Sequence, residues 1–569
     1  MKKNFVKSRW FFTMLLFVTT MIMPSMMLAQ SITPTTPKGK GTAEEPYQIS
    51  TAAELYWFAG LVNGTLPDGG GKDASANAIL TDNITVNEGV LDAVNKGQVS
   101  ESDFIEWKPI GTYDSYDAVY TGTFDGQGHT ISGLYFNHPD ASYVGLFGYI
   151  RANGKISNVG VSDSYFKFRM KGGGVCGKND KDGVLQNCSN SSTVIGKNQN
   201  SRTGGVCGDN SGTVRDCKNT GSVSGENFVG GVCGINLGTI KSCYNTGSVH
   251  GTDIYVGGVC GNSYRVTNTN YCYYLSDTAT RGIGNLMADE KDKAEKMFKE
   301  QFESGEMAWL LNGKGSGEQV WGQQLGIDPS PVPGSAYKVI KAAQGDKDAN
   351  GHYTYWATFS NLKNDVTLSV PSESGRTLNV YNATVSGGKL TLTERSDNQV
   401  AMGEGVLLKT NGEYVNAKTH ETPGLQKVSS NENNLVATQA ETQIVTAETG
   451  YRLYRLTYKN DTNKEGLGFY LGVDKANNSY DGTRLKATPG KAYLKVSEDA
   501  AKAPSSAALT RSFVFGGGNE TTGIDRITIM GTDVQRHGTI EGIFDLQGRK
   551  ISNPTKGIYI KNNKKVIIK

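Results

Sequence analysis

The sequence predicts an all-β protein: a parallel β-helix with helical caps, followed by a β-sandwich and a small C-terminal β unit. Three observations lead to this prediction. Glycine accounts for 72 of the 569 residues, which is about 13% against a usual share of roughly 7%. A motif with two cysteines recurs between residues 172 and 272. Short strand-like runs separated by Asn, Asp, Gly and Ser fill residues 335–515.

The first 29 residues have the pattern of a signal peptide. Basic residues near the N-terminus precede an apolar run at 10–23, and small residues lead up to Ala29. That run is shorter than the ~20 residues that a membrane-spanning helix needs. We therefore expect an exported mature chain without a transmembrane span, located at the cell surface or outside the cell, with residues 30–47 as a linker.

Residues 48–282 are predicted to form the β-helix. The repeated core reads GGGVCGKND (172–180), GGVCGDNSG (204–212), GGVCGINLG (230–238) and GGVCGNSYR (257–265). An earlier copy at 144–161 has Phe147 and Val159 where the others have cysteine. In such a stack each turn lays its apolar residues on those of the next turn, and asparagines form ladders at the bends. Glycines mark the corners.

The eight cysteines are the candidate site residues, and we predict that they form structural disulfides. Four copies of the repeat carry two cysteines and one copy carries none, which favours bonds within each turn. The predicted pairs are Cys176–Cys188, Cys207–Cys217, Cys233–Cys243 and Cys260–Cys272. Bonds between successive turns and buried free thiols are the alternatives. A metal site is disfavoured because no C-x₂₋₄-C spacing occurs.

Several motifs resemble those of the GLUG-repeat surface proteins. These are GTAEEPYQISTAAELYWFAGLVN (41–63), W-x-P-I-G, YTGTFDGQGHTISGL, and GGVCG followed by GTI and CYNTGSV. The resemblance covers roughly residues 41–282. It implies a parallel β-helix, a capping helix near 51–63, and an association with adhesion, but no particular ligand.

The remaining chain divides into four parts. Residues 283–334 are predicted to be a helical cap and Pro-rich linker, with one amphipathic helix at 288–313. Residues 335–515 are predicted to be the β-sandwich, and 516–522 a Gly-rich linker.

The last 47 residues, 523–569, form the small C-terminal β unit. Their FDLQGRK and KGIYIKNNKKVIIK stretches resemble C-terminal sorting domains of the type IX secretion pathway. The resemblance implies a secretion signal. A small β-hairpin unit with charged edges is the alternative reading.

These observations predict a non-catalytic, adhesin-like binding module whose ligand is a host or matrix glycan or protein, with the secretion machinery as a second partner. The net charge of +3 gives no field for nucleic acid. The histidines form no H-E-x-x-H motif, and no cofactor or metal is expected. A spacer that displays the sandwich is one alternative.

A polysaccharide lyase or glycoside hydrolase on the β-helix is the other alternative. Such enzymes use carboxylates beside a basic residue on the outer faces of the turns. The candidate residues are Asp125, Asp163, Asp209 and Asp216, with Arg215 or Lys241.

Overall fold

The computed structural model describes residues 32–515 and the backbone of five strands beyond them. The gaps are residues 68, 98–102, 114–117, 253, 265–267, 286–292, 315–318, 349, 373–374, 423, 460, 463, 465, 475, 477–478, 480 and 503–508. The predicted signal peptide and the Gly-rich linker therefore lie outside the described residues, as does most of the predicted sorting domain. The chain divides into two compact units. Unit 1 is 1–341 with 370–375 and 414–418, and unit 2 is the remainder.

Unit 1 contains a β-solenoid of about seven turns, which confirms the predicted parallel β-helix. Each full turn passes through four parallel sheets, here called faces 1 to 4. Face 1 contains the strands Lys171–Gly173, Arg202–Gly204, Val229–Gly230 and Val256–Gly257. Face 2 contains Phe147–Ile150, Cys176–Asn179, Cys207–Asn210, Cys233–Asn236, Cys260–Ser263 and Ile283–Asn285.

Faces 3 and 4 complete each turn. Face 3 contains Tyr47–Ile49, Ala78–Leu80, Thr123–Asp125, Lys155–Ser157, Val184–Gln186, Thr213–Arg215, Thr239–Lys241 and Thr269–Asn270. Face 4 contains Ile84–Thr85, Thr130–Ser132, Tyr135–Asn137, Gly160–Phe168, Ser189–Gly196, Lys218–Asn219, Val223–Ser224, Tyr244–Asn245, Val249–His250, Cys272–Leu275 and Ala294–Met297. Because the strands pair in register, equivalent residues of the repeat lie on top of one another.

The core of the solenoid is a stack of identical side chains. Val206 lies on Val232, which lies on Val259, and all three are fully buried. Asparagines form two buried ladders parallel to this stack. In one of them Nδ2 of Asn190 donates to Oδ1 of Asn219 at 2.8 Å, and Nδ2 of Asn219 donates to Oδ1 of Asn245 at 2.7 Å. The columns predicted from the repeat are therefore columns in the structure.

A helix closes the N-terminal part of the solenoid, at the position that the sequence predicted. It spans Ala52–Asn63 and begins with a capping box, in which Thr51 and Glu54 exchange side chain–backbone hydrogen bonds. Such a box satisfies backbone N–H groups that a helix start leaves unpaired. Phe58 is fully buried and packs on Tyr120 and Phe124 of the solenoid. A second, short helix spans Val90–Asn95.

The helical segment after the repeats differs from the predicted single helix. Residues Ala294–Met297 form a strand on face 4, and two short helices follow at Lys299–Glu303 and Glu306–Leu311. Gly305 between them has a φ of 94°, which a continuous helix cannot contain. Phe302 packs on Tyr244, which belongs to a hydrophobic cluster separate from the solenoid core. The helices therefore lie against the side of face 4.

Two antiparallel strand pairs complete unit 1. Trp321–Gly322 pairs with Val332–Pro333, and Tyr337–Lys341 pairs with Tyr414–Thr419. The Pro-rich stretch that the sequence read as a linker therefore carries a strand.

Unit 2 consists mainly of antiparallel sheets, and its two largest sheets share a hydrophobic core. One sheet contains Ala343–Lys347, Tyr353–Ser360, Leu378–Ser386, Lys389–Glu394 and Gly405–Thr410, with Thr528–Met530 added in parallel. A second contains Leu435–Ala437, Tyr451–Thr457, Gly468–Leu471, Ala492–Ser497 and Ser512–Val514. Leu392 and Leu407 from the first sheet and Phe469 and Leu494 from the second belong to this core. A sandwich-like arrangement therefore follows the solenoid.

The other elements of unit 2 are short. Two further strand pairs are Val366–Ser369 with Gln399–Val400, and Gln443–Thr446 with Arg484–Ala487. A helix spans Glu498–Ala501. The last described strands, Ile543–Phe544, Lys550–Ile551, Gly557–Lys561 and Lys564–Ile568, form one antiparallel sheet.

A buried carboxylate holds a loop of unit 2 and makes its stability depend on pH. Asp365 accepts hydrogen bonds from the backbone N–H groups of Gly424, Leu425 and Met402 at 2.5, 2.7 and 2.7 Å. These bonds, assisted by His420, hold the pKa of Asp365 below its usual value. A lowered pKa stabilises the fold above the unfolded-state pKa, and the contribution is lost as the pH falls through the folded-state pKa.

We expect Asp365→Asn to destabilise unit 2 at neutral pH, and we expect this difference to shrink progressively on acidification below about pH 4. Urea unfolding of the whole chain at several pH values, followed by hydrogen exchange in peptides of unit 2, measures it. The exposed Asp346→Asn is the matched control. A difference that stays constant from neutral pH to acid would contradict the role given to this carboxylate.

Candidate functional site: an aromatic–basic corner of the β-helix

Faces 1 and 2 meet at a concave corner on the outside of the solenoid, and two columns of side chains face each other across it. The face 1 column is Tyr143, Lys171, Arg202, Phe228 and Tyr255. The face 2 column is Tyr149, Lys178, Asp209, Ile235 and Asn262. We call these ten residues, together with Tyr113, the aromatic–basic corner.

Glycines make this corner possible. A Cβ atom on Gly208 would lie 2.6 Å from the backbone nitrogen of Gly172 and 2.8 Å from the carbonyl oxygen of Arg202. Gly177 and Gly234 occupy equivalent positions on neighbouring turns and meet similar backbone contacts. The last glycine of each GGVCG motif therefore lets the two strands fold closely against each other, which brings their outward side chains together.

Three tyrosines form the N-terminal end of the corner. The rings of Tyr143 and Tyr149 are nearly parallel, with centroids 5.4 Å apart, and Tyr113 stacks on Tyr149 at 5.5 Å. The ammonium groups of Lys171 and Lys178 lie 5.0 and 4.8 Å from the ring centres of Tyr143 and Tyr149, respectively. This is cation–π geometry. Tyr113 forms the outer layer of the stack and is 48% exposed.

Hydrogen bonding and charge fix the inner tyrosine. The hydroxyl of Tyr149 donates to Oδ2 of Asp180 at 2.6 Å. Burial, followed by this bond to a carboxylate, raises the pKa of Tyr149 well above its usual value. Burial acts to raise the pKa of Asp180, but the bond from Tyr149 and the charges of Lys178 and Arg151 outweigh it and lower that pKa. At neutral pH the tyrosine is therefore a neutral donor and the aspartate an ionised acceptor.

The middle of the corner is basic. Arg202 and Lys171 both pair with Oδ2 of Asp209, whose side chain is only 3% exposed. Its other oxygen, Oδ1, is buried and has no hydrogen-bond partner among the described residues. The ammonium of Lys178 lies 3.8 Å from Asp180, beyond hydrogen-bond distance. The three cations of the corner therefore outnumber its one carboxylate, Asp209, and the neighbouring Asp180 has Arg151 beside it as well as Lys178, so the corner is basic.

A second aromatic pair ends the face 1 column. The rings of Phe228 and Tyr255 stack with centroids 4.7 Å apart. From Tyr143 to Tyr255 the column crosses four spacings between adjacent strands, which amounts to roughly 19 Å along the solenoid axis. The corner can therefore contact an extended ligand at several points.

The four carboxylates proposed for an enzymatic reading lie on three different faces or their edges, and the structure gives each its own contacts. Asp125 accepts hydrogen bonds from Gln127 and Asn158. Asp163 accepts from the backbone N–H of Leu91 at 2.9 Å. Only Asp209 belongs to the corner.

The fourth carboxylate and the two basic candidates lie along face 3. Asp216 pairs with Arg215 at 3.0 Å, and Arg215 also donates to Gln186. Lys241 is exposed on the next turn. Among the described residues, no group of His, Cys, Asp or Glu side chains is placed to hold a metal ion.

The eight cysteines form two buried columns of free thiols. One column contains Cys176, Cys207, Cys233 and Cys260, which are in register on face 2. Each is the first residue of its strand. The other column contains Cys188, Cys217, Cys243 and Cys272, which follow face 3. The thiols donate to backbone carbonyl oxygens, as in the 3.0 Å bond from Cys233 to Ile235. Burial raises the pKa of most of them, for example Cys188 and Cys217.

The predicted bonds within each turn, Cys176–Cys188, Cys207–Cys217, Cys233–Cys243 and Cys260–Cys272, are not formed in the structure. The contacts between two cysteines that it describes run between turns, such as the 3.4 Å bond from the backbone N–H of Cys188 to Sγ of Cys217. Cysteines of different turns are neighbours because the turns stack in register. Equivalent residues of successive turns are about 4.8 Å apart, within the Cα range of disulfides.

We expect any disulfide in the exported chain to join successive turns, with Cys176–Cys207 and Cys233–Cys260 as the pairs that use every thiol of the face 2 column. Peptide mapping without reduction, after alkylation under denaturing conditions, measures this. Alkylation of all eight thiols would show that they serve as buried apolar side chains. Recovery of Cys176–Cys188 would instead contradict the cross-turn geometry.

The sequence contained a signal for the corner that motif analysis did not use. The residue two positions before each GGVCG motif is basic or aromatic, namely Lys171, Arg202, Phe228 or Tyr255, and Tyr143 precedes the copy without cysteines. These positions form facing columns only because the chain bends inward at the motif. That bend is seen in the structure and could not be inferred from the repeat.

This fold defines the chain as a β-helix protein with an adjoining antiparallel β domain. No family model matches the chain, so membership of the GLUG-repeat family stays a prediction. Among the helices of the described residues, none is long and apolar enough to span a membrane.

Two curated proteins resemble part of the chain. Halomucin of Haloquadratum walsbyi is 31% identical over 170 residues, which is 30% of this chain and 2% of that protein. A protein of Evansella cellulosilytica, described as a candidate Gly-rich membrane protein, is 32% identical over 127 residues, or 22% of this chain and 12% of its own length. The chain therefore spans only a small part of these relatives.

One solved structure matches part of the chain. It is a crystal structure from Bacteroides ovatus, described as a candidate immunoglobulin A1 protease. The similarity covers 52% of this chain and 94% of that one, with 19% identity and a TM-score of 0.38.

Proposed function

We propose that the protein is an exported, surface-displayed binding module without catalytic activity, and that the aromatic–basic corner contacts its ligand. The observation that carries this proposal is the stack of Tyr113, Tyr143 and Tyr149 beside Lys171 and Lys178, which ends in a ring that is half exposed. Aromatic residues and arginine are enriched at binding surfaces relative to the rest of a protein surface.

Delivery to the surface is part of the same proposal. The N-terminal signal pattern and the C-terminal stretches support export with help from the secretion machinery. The two partial relatives are compatible with this placement, since one is described as a membrane protein. Non-catalytic status is supported by the separate contacts of Asp125, Asp163 and Asp216, which hold structural positions on different turns of faces 3 and 4.

A screen of purified chain on glycan and matrix-protein arrays tests the proposal. We expect wild-type chain to bind, and the double variant Tyr113→Ala with Arg202→Gln to lose at least about tenfold in affinity, since two direct contacts disappear. The matched control is Tyr353→Ala with Lys347→Gln in unit 2. Tyr353 is 45% exposed and Lys347 lies 5.0 Å from its ring centre.

The outcome of the screen separates the alternatives. Loss of binding in the control pair with full binding by the corner variant would favour the spacer reading, in which unit 2 binds and the solenoid displays it. Release of soluble sugar from an arrayed polysaccharide, abolished by Asp209→Asn, would favour an enzyme instead.

A further inference from the structure

We propose that the ligand of the aromatic–basic corner is an acidic polysaccharide, a chain of sugar rings that bear carboxylate groups. This inference rests on the proposed binding function and names the chemical class that the corner would recognise. Three properties of the corner support this inference. Its cations have N–H donors that are not used in hydrogen bonds, one aromatic ring is exposed, and carboxylate acceptors lie near the cations.

The cations retain hydrogen-bonding capacity for an anionic group. Arg202 uses Nη1 to pair with Asp209, and its side chain is 33% exposed. A guanidinium has five N–H donors, which leaves others for a ligand carboxylate. The ammonium of Lys178 lies over a ring and is too far from Asp180 for a hydrogen bond. These two groups are therefore suited to charge-assisted bonds with carboxylates.

The aromatic residues provide a surface for sugar rings. Tyr113 is the outermost ring of the stack and is half exposed, whereas Tyr143 and Tyr149 are covered by neighbouring rings. The negative face of an aromatic ring attracts positively polarised edges, and the C–H groups of a sugar ring provide such an edge. Because Phe228 and Tyr255 stand at the far end of the column, an extended chain can contact aromatic rings at both ends.

Asp209 in the corner and Asp180 beside it favour a sugar chain over a nucleic acid. A nucleic acid presents a continuous row of phosphates and needs a matching row of cations. Here Asp180 and Asp209 interrupt the cations, so they would repel such a row. A sugar acid alternates carboxylates with hydroxyl groups, and hydroxyls donate to aspartate. The carboxylate of Asp180, whose side chain is 33% exposed, is an acceptor of this kind.

Isothermal titration of the whole chain with matched sugar chains tests the inference. The probes are polygalacturonate, alginate and hyaluronan, each beside its neutral methyl ester, and a single-stranded DNA oligonucleotide. We expect at least one acid to bind about tenfold or more tightly than its ester, with affinity that falls as salt rises. Lys178→Gln should remove most of this preference, whereas Lys347→Gln in unit 2 should leave it unchanged.

Other outcomes overturn the inference. Equal binding of acid and ester would show that the corner does not recognise the carboxylate charge of the sugar chain. Tighter binding of the DNA would assign the corner to nucleic acid. If none of the sugar acids binds while the array finds another ligand for the corner, this inference fails and the proposed function stands. If neither experiment finds a ligand, both fail. Hydrogen exchange of each variant checks that the solenoid is still folded.

Discussion

Replacing Gly208 by alanine is expected to destabilise the solenoid by about 3 kcal/mol, because the added methyl group overpacks a site that has no room to relax. Its Cβ would lie within 2.8 Å of backbone atoms of Gly172, Gly177 and Arg202. Those atoms belong to hydrogen-bonded strands, so the clash can be relieved only by separating faces 1 and 2.

The matched control for this change is Gly71→Ala, since a Cβ at that position meets nothing within 4 Å. Urea unfolding of the whole chain, followed by hydrogen exchange in peptides from 143–210, measures the difference. Equal stability of the two variants would mean that faces 1 and 2 do not meet as described, and the corner would lose its structural basis.

Replacing Asn219 by alanine is expected to cost about 3 kcal/mol, since each buried polar group left without a partner costs about 1–3 kcal/mol. Asn219 accepts from Asn190 and donates to Asn245 and to the carbonyl oxygen of Gly221. It also accepts from the backbone N–H of Gly221 at 3.3 Å. The loss therefore interrupts the ladder in both directions along the stack.

The exposed Asn200→Ala on the same unit serves as the control for the ladder. The same exchange experiment applies, and the loss of protection should be greatest in the turns that contain Asn190 and Asn245. A uniform, small effect of Asn219→Ala would indicate that buried water replaces the amide, and that the ladder contributes little to stability.

The repeat explains why the solenoid could be predicted from sequence. The recurring order of Val, Cys and Asn leaves stacking as the arrangement that buries every apolar column. Val206, Val232 and Val259 could therefore be assigned to the core from the repeat alone. The capping helix was predictable for a local reason, because Thr51 and Glu54 form a capping box before an apolar run. Segments without a repeat were less predictable. Gly305 and the strand Ala294–Met297 broke the long helix expected at 288–313.

The candidate site was less predictable than the fold. Tyr143 and Tyr149 are six residues apart, a separation that places them on the same side of a straight strand without bringing their rings together. Because the chain bends between faces 1 and 2, the two rings come together and stack. The cysteine pairs predicted from the repeat are not formed in the structure, and the reason is related. The sequence shows which cysteines share a repeat, such as Cys176 and Cys188, whereas the register decides which thiols are neighbours.

Hydrogen–deuterium exchange of the whole chain, with and without the ligand that the array selects, tests the central claim most directly. We expect ligand-dependent protection in peptides covering 143–149, 171–178 and 202–209, and no change in peptides of unit 2. Protection confined to residues 342–369 and 376–413, with the corner unchanged, would contradict it and would assign binding to unit 2.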